Sequence, residues 1–344
     1  MKKKIIYLLC AVMVISAALV GCGGGEEAAA PEATADKPIT LKIAGQFPTD
    51  NPASIAVESL KAYVEEKSEG RLILEHYPAN QLGDANLVFE GIMDGSVDMG
   101  LLYNSSQYDP MIEINSLPYL VTNTEEIKKV YSEGSNYFNI YSDIFSNLGV
   151  KILGIHTDGL IGVHTMEEPK DHADFTKDKQ VLIRTPAVDV YSMTAKDMGF
   201  QTVTISFADL YTSMQTGVCK GSIGQTAIGT YTAFRDVAKY YIPYRAFVEC
   251  LDYMINEDTW NSLPADLQEI LKDGINIEVE KQFANVDKLE AEYSAKLEEA
   301  GIKILPVTDE ERQAMAEYIR TNTWPKLYDK LGKDVMDQIM EDLK

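Results

Sequence analysis

Apolar and polar residues alternate along Thr40-Leu-Lys-Ile-Ala-Gly45, which puts Leu41 and Ile43 on one face and predicts a strand. The period then lengthens. Ala56, Leu60 and Val64 share one stripe of a helix predicted over 52–68, with Asp50 or Asn51 as its cap, Pro52 in the first turn and Gly70 just past its end. Arg71 to Tyr77 reads as a second strand, and a Pro78–Gly83 turn leads to a helix carrying Leu87, Val88, Ile92 and Met93 that closes at Gly95. The strand Val97–Tyr103 completes a β-α-β-α-β unit, the signature of a parallel sheet.

The same grammar restarts at Val181. Strand Val181–Thr185 feeds a helix through Pro186 and Tyr191 to Met198, ended by Gly199. Strand 202–205 runs into Ser206, an expected N-cap for a helix bearing Leu210, Met214 and Val218. A glycine-rich stretch, Gly221–Gly229, and an apolar stretch at 237–244 follow. Two α/β lobes in series imply a cleft able to enclose a small molecule. From Pro264 to Ala300, Leu267, Leu271, Ile275, Val279, Phe283, Val286, Leu289, Tyr293 and Leu297 recur every three or four positions. With Ser262 as N-cap and Gly301 beyond its end, such a helix would span roughly 55 Å at 1.5 Å per residue, longer than one lobe. It reads as a helix lying across both lobes, with a coiled-coil segment or two helices broken at Gly274 as the alternatives.

The N-terminus has a different pattern. Met1-Lys2-Lys3-Lys4 precedes an apolar run from Ile5 to Val20, as in a secretory signal, and Leu19-Val20-Gly21-Cys22 resembles the lipobox of bacterial lipoproteins. The expectation is a signal peptide over 1–21, a lipid anchor on Cys22 and a polar tether over 22–38, which places the protein outside the cytoplasm on a bacterial membrane. No later apolar run approaches the length needed to cross a bilayer. Thirty-one Lys+Arg against 53 Asp+Glu give a net charge of −22, which argues against nucleic acid as a partner. Of four cysteines, Cys10 leaves with the signal; Cys219 and Cys250 are read as two separate buried thiols, with a disulfide between them left open.

Catalytic signatures are absent from the sequence. There is no HExxH, GxSxG or Walker loop, and His76, His156, His164 and His172 lack metal-ligand spacing, so neither metal nor cofactor is expected. Arg184 stands out, because a guanidinium at the carboxyl end of a strand needs an anion, either a ligand carboxylate or an internal acid.

Several longer words surround it: Pro78-Ala-Asn-Gln-Leu-Gly83, Gly95-Ser-Val-Asp-Met99, Leu117-Pro-Tyr-Leu120, Ile183-Arg-Thr-Pro186, and Leu210-Tyr211 followed by Met214-Gln-Thr-Gly-Val218. With these the chain from Thr40 to about Lys330 resembles the substrate-binding proteins of TRAP transporters, the DctP-like family. The resemblance implies a two-lobed periplasmic-binding-protein-like α/β fold with a long helix bridging both lobes. Lobe I is expected at 39–160 plus about 247–285, and lobe II at 161–246 plus about 286–344. It also implies that Arg184 receives the ligand's carboxylate. Two positions depart from the family pattern: its ligand-contacting Asn falls on Gly224, and a second arginine falls near Ile161. Those departures point away from C4-dicarboxylates and sialic-acid-like ligands toward a small organic acid with one carboxylate.

Other cleft candidates follow from topology: Tyr103, Asn104, Ser105 and Gln107 after strand 97–103; Phe207 and Tyr211 at the start of a helix; Asp158 for a cationic or hydroxylated group; and Gln46, Phe47 and Asn51 after the first strand. The expected function is non-enzymatic: a lipid-anchored solute receptor that closes on its ligand and delivers it to a TRAP membrane permease. An exported hydrolase or lyase using the same cleft is the alternative, and a surface adhesin a third reading.

Overall fold

The structure, a computed structural model, describes residues 33–103 and 106–344; Cys22, Asn104 and Ser105 lie outside the described residues. β1 (Ile39–Gly45), α1 (Pro52–Lys67), β2 (Leu72–Tyr77), α2 (Ala85–Asp94) and β3 (Met99–Leu102) follow in the predicted order. β1 lies between β2 and β3, parallel to both. The helix starts are fixed by side chains: Asn51 Oδ1 accepts the Ala53 N–H at 2.9 Å, and Asp84 Oδ1 accepts the Leu87 N–H at 3.0 Å.

After β3 come a 3-10 turn at Pro110–Ser116, helices α3 (Thr124–Tyr131) and α4 (Asn136–Ser146), and the 16-residue strand β4 (Val150–Thr165). The second unit then unfolds as its pattern predicts: β5 (Leu182–Thr185), α5 (Asp189–Asp197), β6 (Gln201–Thr204) and α6 (Phe207–Gln215), the last capped by Ser206 Oγ on the Asp209 N–H. Val218 is a correction, since it lies past the end of α6 and is 55% exposed. The glycine-rich stretch is β7 (Gly221–Gln225) running into α7 (Ala227–Phe234). Glycine at 221 has a steric reason, because a Cβ there would lie 2.3 Å from the His164 carbonyl oxygen. The chain continues through β8 (Tyr240–Asn256), α8 (Glu257–Ser262), α9 (Ala265–Glu299), β9 (Lys303–Ile304), α10 (Asp309–Asn322), α11 (Tyr328–Leu331) and α12 (Lys333–Met340).

Among the described residues the strands form one sheet in the order β2-β1-β3-β8-β4-β7-β5-β6, with β9 beside β8. β4 and β8 run antiparallel from Val150 opposite Asn256 to Thr165 opposite Tyr240. One end of this pair carries β3, β1 and β2, and the other carries β7, β5 and β6, so two lobes share two long strands. The register shifts between Ile152 and Gly154, between Thr157 and Gly159 and between Ile161 and Val163. Bulges of this kind bend a strand pair and increase its twist.

α9 runs unbroken through Gly274. A Cβ at that position would lie 2.7 Å from Leu60 Cδ1, so glycine here permits close approach to α1 rather than a break. Toward its start, Leu267, Leu271, Ile275 and Val279 pack with Leu41, Ile43 and Leu60; toward its end, Tyr293 and Leu297 pack with Ala227, Ile228 and Tyr241. The helix therefore bridges the two lobes through its own apolar stripe. Two details differ from the sequence reading. Ser262 ends α8, leaving Pro264 at the N-cap of α9, and Phe283 is only partly buried, at a seam where it touches two clusters.

The C-terminal stretch makes contacts far back along the chain. Arg320 Nε donates to the Tyr119 carbonyl at 2.8 Å, Trp324 Nε1 donates to the Pro118 carbonyl at 2.9 Å, and the Asp342 carboxylate accepts the Asn136 and Tyr137 N–H groups at 2.9 Å. The tail is thus fastened to the segment 110–146. Cys219 and Cys250 are free, buried and in different apolar clusters.

Candidate functional site

Between the lobes lies a cavity of about 270 Å³ whose wall draws on both of them and on the shared strands. β5 brings Arg184 to its carboxyl end, where the side chain is 4% exposed. Its Nε donates to the Ile205 carbonyl at 2.7 Å, and among the described residues no carboxylate lies within 4.0 Å of it. Burial pulls its pKa down to about 10, which still leaves the guanidinium charged at neutral pH. Gly224, on β7, has φ +133, and a Cβ there would sit 3.3 Å from Arg184 Nη1. The glycine both permits the backbone conformation and keeps the face of the guanidinium clear.

Opposite elements supply aromatic walls. Tyr103 follows β3; its N–H donates to Gln46 Oε1 at 3.2 Å, and its hydroxyl is hydrogen-bonded to Ser116 Oγ at 3.1 Å. The Tyr191 hydroxyl donates to Tyr103, while the Tyr191 ring stacks on Phe247 with centroids 4.0 Å apart. Phe207, the first residue of α6, is 45% exposed and meets Phe234 edge-on. Glu249 on β8 also lines the cavity and accepts hydrogen bonds from the backbone and hydroxyl of Thr226, the N-cap of α7. Burial, joined by the charge of Asp158, pushes its pKa up.

Of the residues singled out in the sequence, Arg184, Tyr103, Gln46, Phe207 and Gly224 share this wall, together with Phe47 and Ile161. Others do not. Tyr211 turns one helical step away and packs beside Val203 and Ile205 against Leu210 and Met214. Asp158 lies in a bulge of β4 outside this wall, and its Oδ1 meets His156 Nε2 at 2.9 Å and Gln282 Nε2 at 3.5 Å. Asn51 is a buried helix cap, and Gln107 is exposed outside the wall. Tyr191, Gln225 and Glu249 were missed. The available signal for Glu249 was one acid inside the apolar run Ala246-Phe-Val-Glu-Cys-Leu251. A wider hollow of about 870 Å³ at Glu168–Phe175 is an open surface depression remote from Arg184.

His164 lies behind the cavity, paired with Ser222 across β4 and β7 and stacked on Phe234 at 4.8 Å. Burial, aided by the charge of Arg184, holds its pKa down at about 3, against 6.5 for a free imidazole. The unfolded chain therefore binds a proton that the folded one refuses between these values, and stability falls as pH drops from about 6.5 toward 3. The limiting slope is about 1.4 kcal/mol per pH unit. Urea unfolding across that range is expected to show a shallower acid slope for His164→Gln than for the wild type.

Comparison with known proteins gives a consistent picture. The family model for bacterial extracellular solute-binding protein, family 7, matches residues 43–330. A C4-dicarboxylate-binding periplasmic protein of Vibrio cholerae is 24% identical over 312 residues, covering 87% of this chain and 89% of its own. A 2,3-diketo-L-gulonate-binding periplasmic protein of Escherichia coli is 24% identical over 301 residues, covering 84% and 83%. Among solved structures, a TRAP periplasmic solute-binding protein from Desulfovibrio salexigens with bound orotic acid superposes with a TM-score of 0.79 at 19% identity, covering 88% of this chain and 98% of that one. Another from Haemophilus influenzae with bound L-gulonate gives 0.77 at 23% identity, covering 88% and 99%.

Proposed function

Because the chain belongs to family 7 of the bacterial extracellular solute-binding proteins, the receptors of TRAP transporters, we propose that its cavity takes a small organic acid, with one carboxylate on Arg184, and that the closed protein delivers it to a TRAP membrane permease. The family acts in transport rather than catalysis. The observation that carries the ligand reading is the buried guanidinium with no carboxylate within 4.0 Å among the described residues, since leaving such a charge unpaired is costly and a ligand carboxylate removes the cost. Orotic acid, L-gulonate and succinate, found in structures of similar fold, are all acids, which agrees in kind.

Closure is a hinge motion in this reading. Lobe I comprises 39–160 and about 247–285, lobe II begins at 161, and β4 and β8 bend where their register shifts near Asp158 and Ile161. Ligand contacts to both lobes then bias an equilibrium between open and closed forms. Calorimetric titration with pyruvate, lactate, L-gulonate, orotate and succinate, each beside its primary amide, tests the carboxylate requirement. One or more acids should bind and be recovered unchanged, with the amide at least about tenfold weaker, equivalent to 1.4 kcal/mol. Amides that bind as tightly as their acids would overturn it.

The lipid anchor is part of the same proposal. Among the described residues no helix is long and apolar enough to cross a membrane, and Cys22 follows a lipobox-like sequence. Cys22→Ser is expected to move the protein from the membrane fraction to the soluble fraction, and retention with membranes would contradict the anchor.

A further inference from the structure

The cavity that holds Arg184 also holds acceptors that a simple carboxylate leaves unused. Glu249 projects from β8 at the position opposite Gly159, and its carboxyl lines the same cavity as Arg184. The two are not paired with each other, because no arginine–carboxylate contact within 4.0 Å joins them. Other basic side chains of the shared strands are engaged elsewhere: Arg245 Nε lies 3.2 Å from Glu290 Oε1, and His156 Nε2 is hydrogen-bonded to Asp158. A third group adds to the pattern. Gln225, on β7, is 4% exposed and lines the cavity, and its Oε1 has no hydrogen-bond partner.

These groups ask for different things from one ligand. Arg184 needs an acceptor anion, whereas Gln225 Oε1 lacks a donor and Glu249 can accept a further one, best from a cationic group. A monocarboxylic acid with no further donor would satisfy the first, leave Gln225 Oε1 without a partner and offer Glu249 nothing beyond its contacts to Thr226. A second carboxylate would be worse placed, since it would face Glu249 with Asp158 behind it. An ammonium answers both acceptors at once, and it relieves the burial penalty that otherwise raises the Glu249 pKa.

We propose that the cleft selects a zwitterion, an amino-acid-like compound whose carboxylate pairs with Arg184 and whose protonated amine is received by Glu249 and Gln225 Oε1. The inference rests on the carboxylate reading of Arg184 and adds the second pole.

The test is calorimetry on matched pairs: L-alanine with propionate, L-proline with cyclopentanecarboxylate, L-phenylalanine with 3-phenylpropionate, and L-glutamate with glutarate. In every pair that binds, the amino acid should bind at least about tenfold more tightly than its deaminated partner, a difference of 1.4 kcal/mol. Glu249→Gln keeps an acceptor for Thr226 but removes the charge, and it is expected to bring the members of a pair within about threefold of each other, roughly 0.7 kcal/mol by the same conversion. Arg184→Ala should weaken both members. Deaminated acids that bind as tightly as the amino acids, or a preference that survives in E249Q, would overturn the zwitterion while leaving the carboxylate on Arg184 standing. Binding by neither member of any pair would overturn the zwitterion, while the carboxylate on Arg184 stands or falls with the acid and amide panel. The preference within wild-type pairs is a readout that does not depend on how well any variant folds.

Discussion

Leu271→Ala is expected to lower the unfolding free energy by about 2–5 kcal/mol, the range for truncating a fully buried leucine. Leu271 is completely buried on α9, where it packs in the cluster that joins β1, α1 and β3 to the bridging helix. Deleting three carbons there removes their burial and leaves a cavity that Leu267, Ile275 and Leu60 fill only in part. Leu297, equally buried, sits in the cluster at the other end of the helix. If α9 ties the lobes into one cooperative unit, Leu297→Ala lowers the same single transition seen for Leu271→Ala. Two separate transitions, each sensitive to only one variant, would show that the lobes unfold independently. Phe283, which sequence periodicity places on the same stripe, is a weaker probe because it is only partly buried.

Legibility of the fold in the sequence followed the physics of each element. β1 and the helices α1, α2, α5 and α6 announce themselves by alternation, by helical period and by caps such as Asn51 and Ser206. β4 and β8 do not, because they are buried on both faces along most of their length and so show no alternation of apolar and polar positions, with polar residues such as His156, Asp158 and Glu249 set among the apolar ones. The segment 110–146 was silent for a related reason: α4 buries Tyr137, Tyr141 and Phe145 as a column of rings within a short helix whose partner, the C-terminal tail, lies some 200 residues away in the chain. No local pattern encodes such a contact.

The site divides in the same way. Arg184 and Tyr103 were accessible because the carboxyl ends of strands in an α/β fold point at the cleft. Phe207 and Tyr211 looked equivalent in sequence, yet one turn of helix separates a wall position from a packing position. Asp158 looked like a ligand group until a bulge turned it toward His156 and Gln282. Glu249 lies across the sheet from it, and only the pairing of β4 with β8 brings that acid into the cavity.

Arg184→Ala is the second large effect. A buried, desolvated guanidinium that pairs with a ligand carboxylate contributes strongly to binding, and truncating one member of such a pair costs about 2–5 kcal/mol. That corresponds to a rise of about 30-fold to several-thousand-fold in the dissociation constant. Arg184→Lys should recover only part of this, since an ammonium keeps the charge and loses the planar fork. Within the protein, the hydrogen bond shown for the guanidinium is Nε to the Ile205 carbonyl, so removing the side chain takes away little that holds the fold together.

The most direct measurement is calorimetric affinity and thermal unfolding on the wild type, Arg184→Ala and Arg184→Lys, using the tightest-binding acid of the carboxylate panel. The structure predicts that affinity falls in the order Arg, Lys, Ala while the unfolding temperature of the ligand-free protein shifts by no more than a few degrees, the scale of about 1 kcal/mol. A strongly destabilised Arg184→Ala protein whose folded fraction binds that acid with wild-type affinity would contradict it and make Arg184 a structural residue.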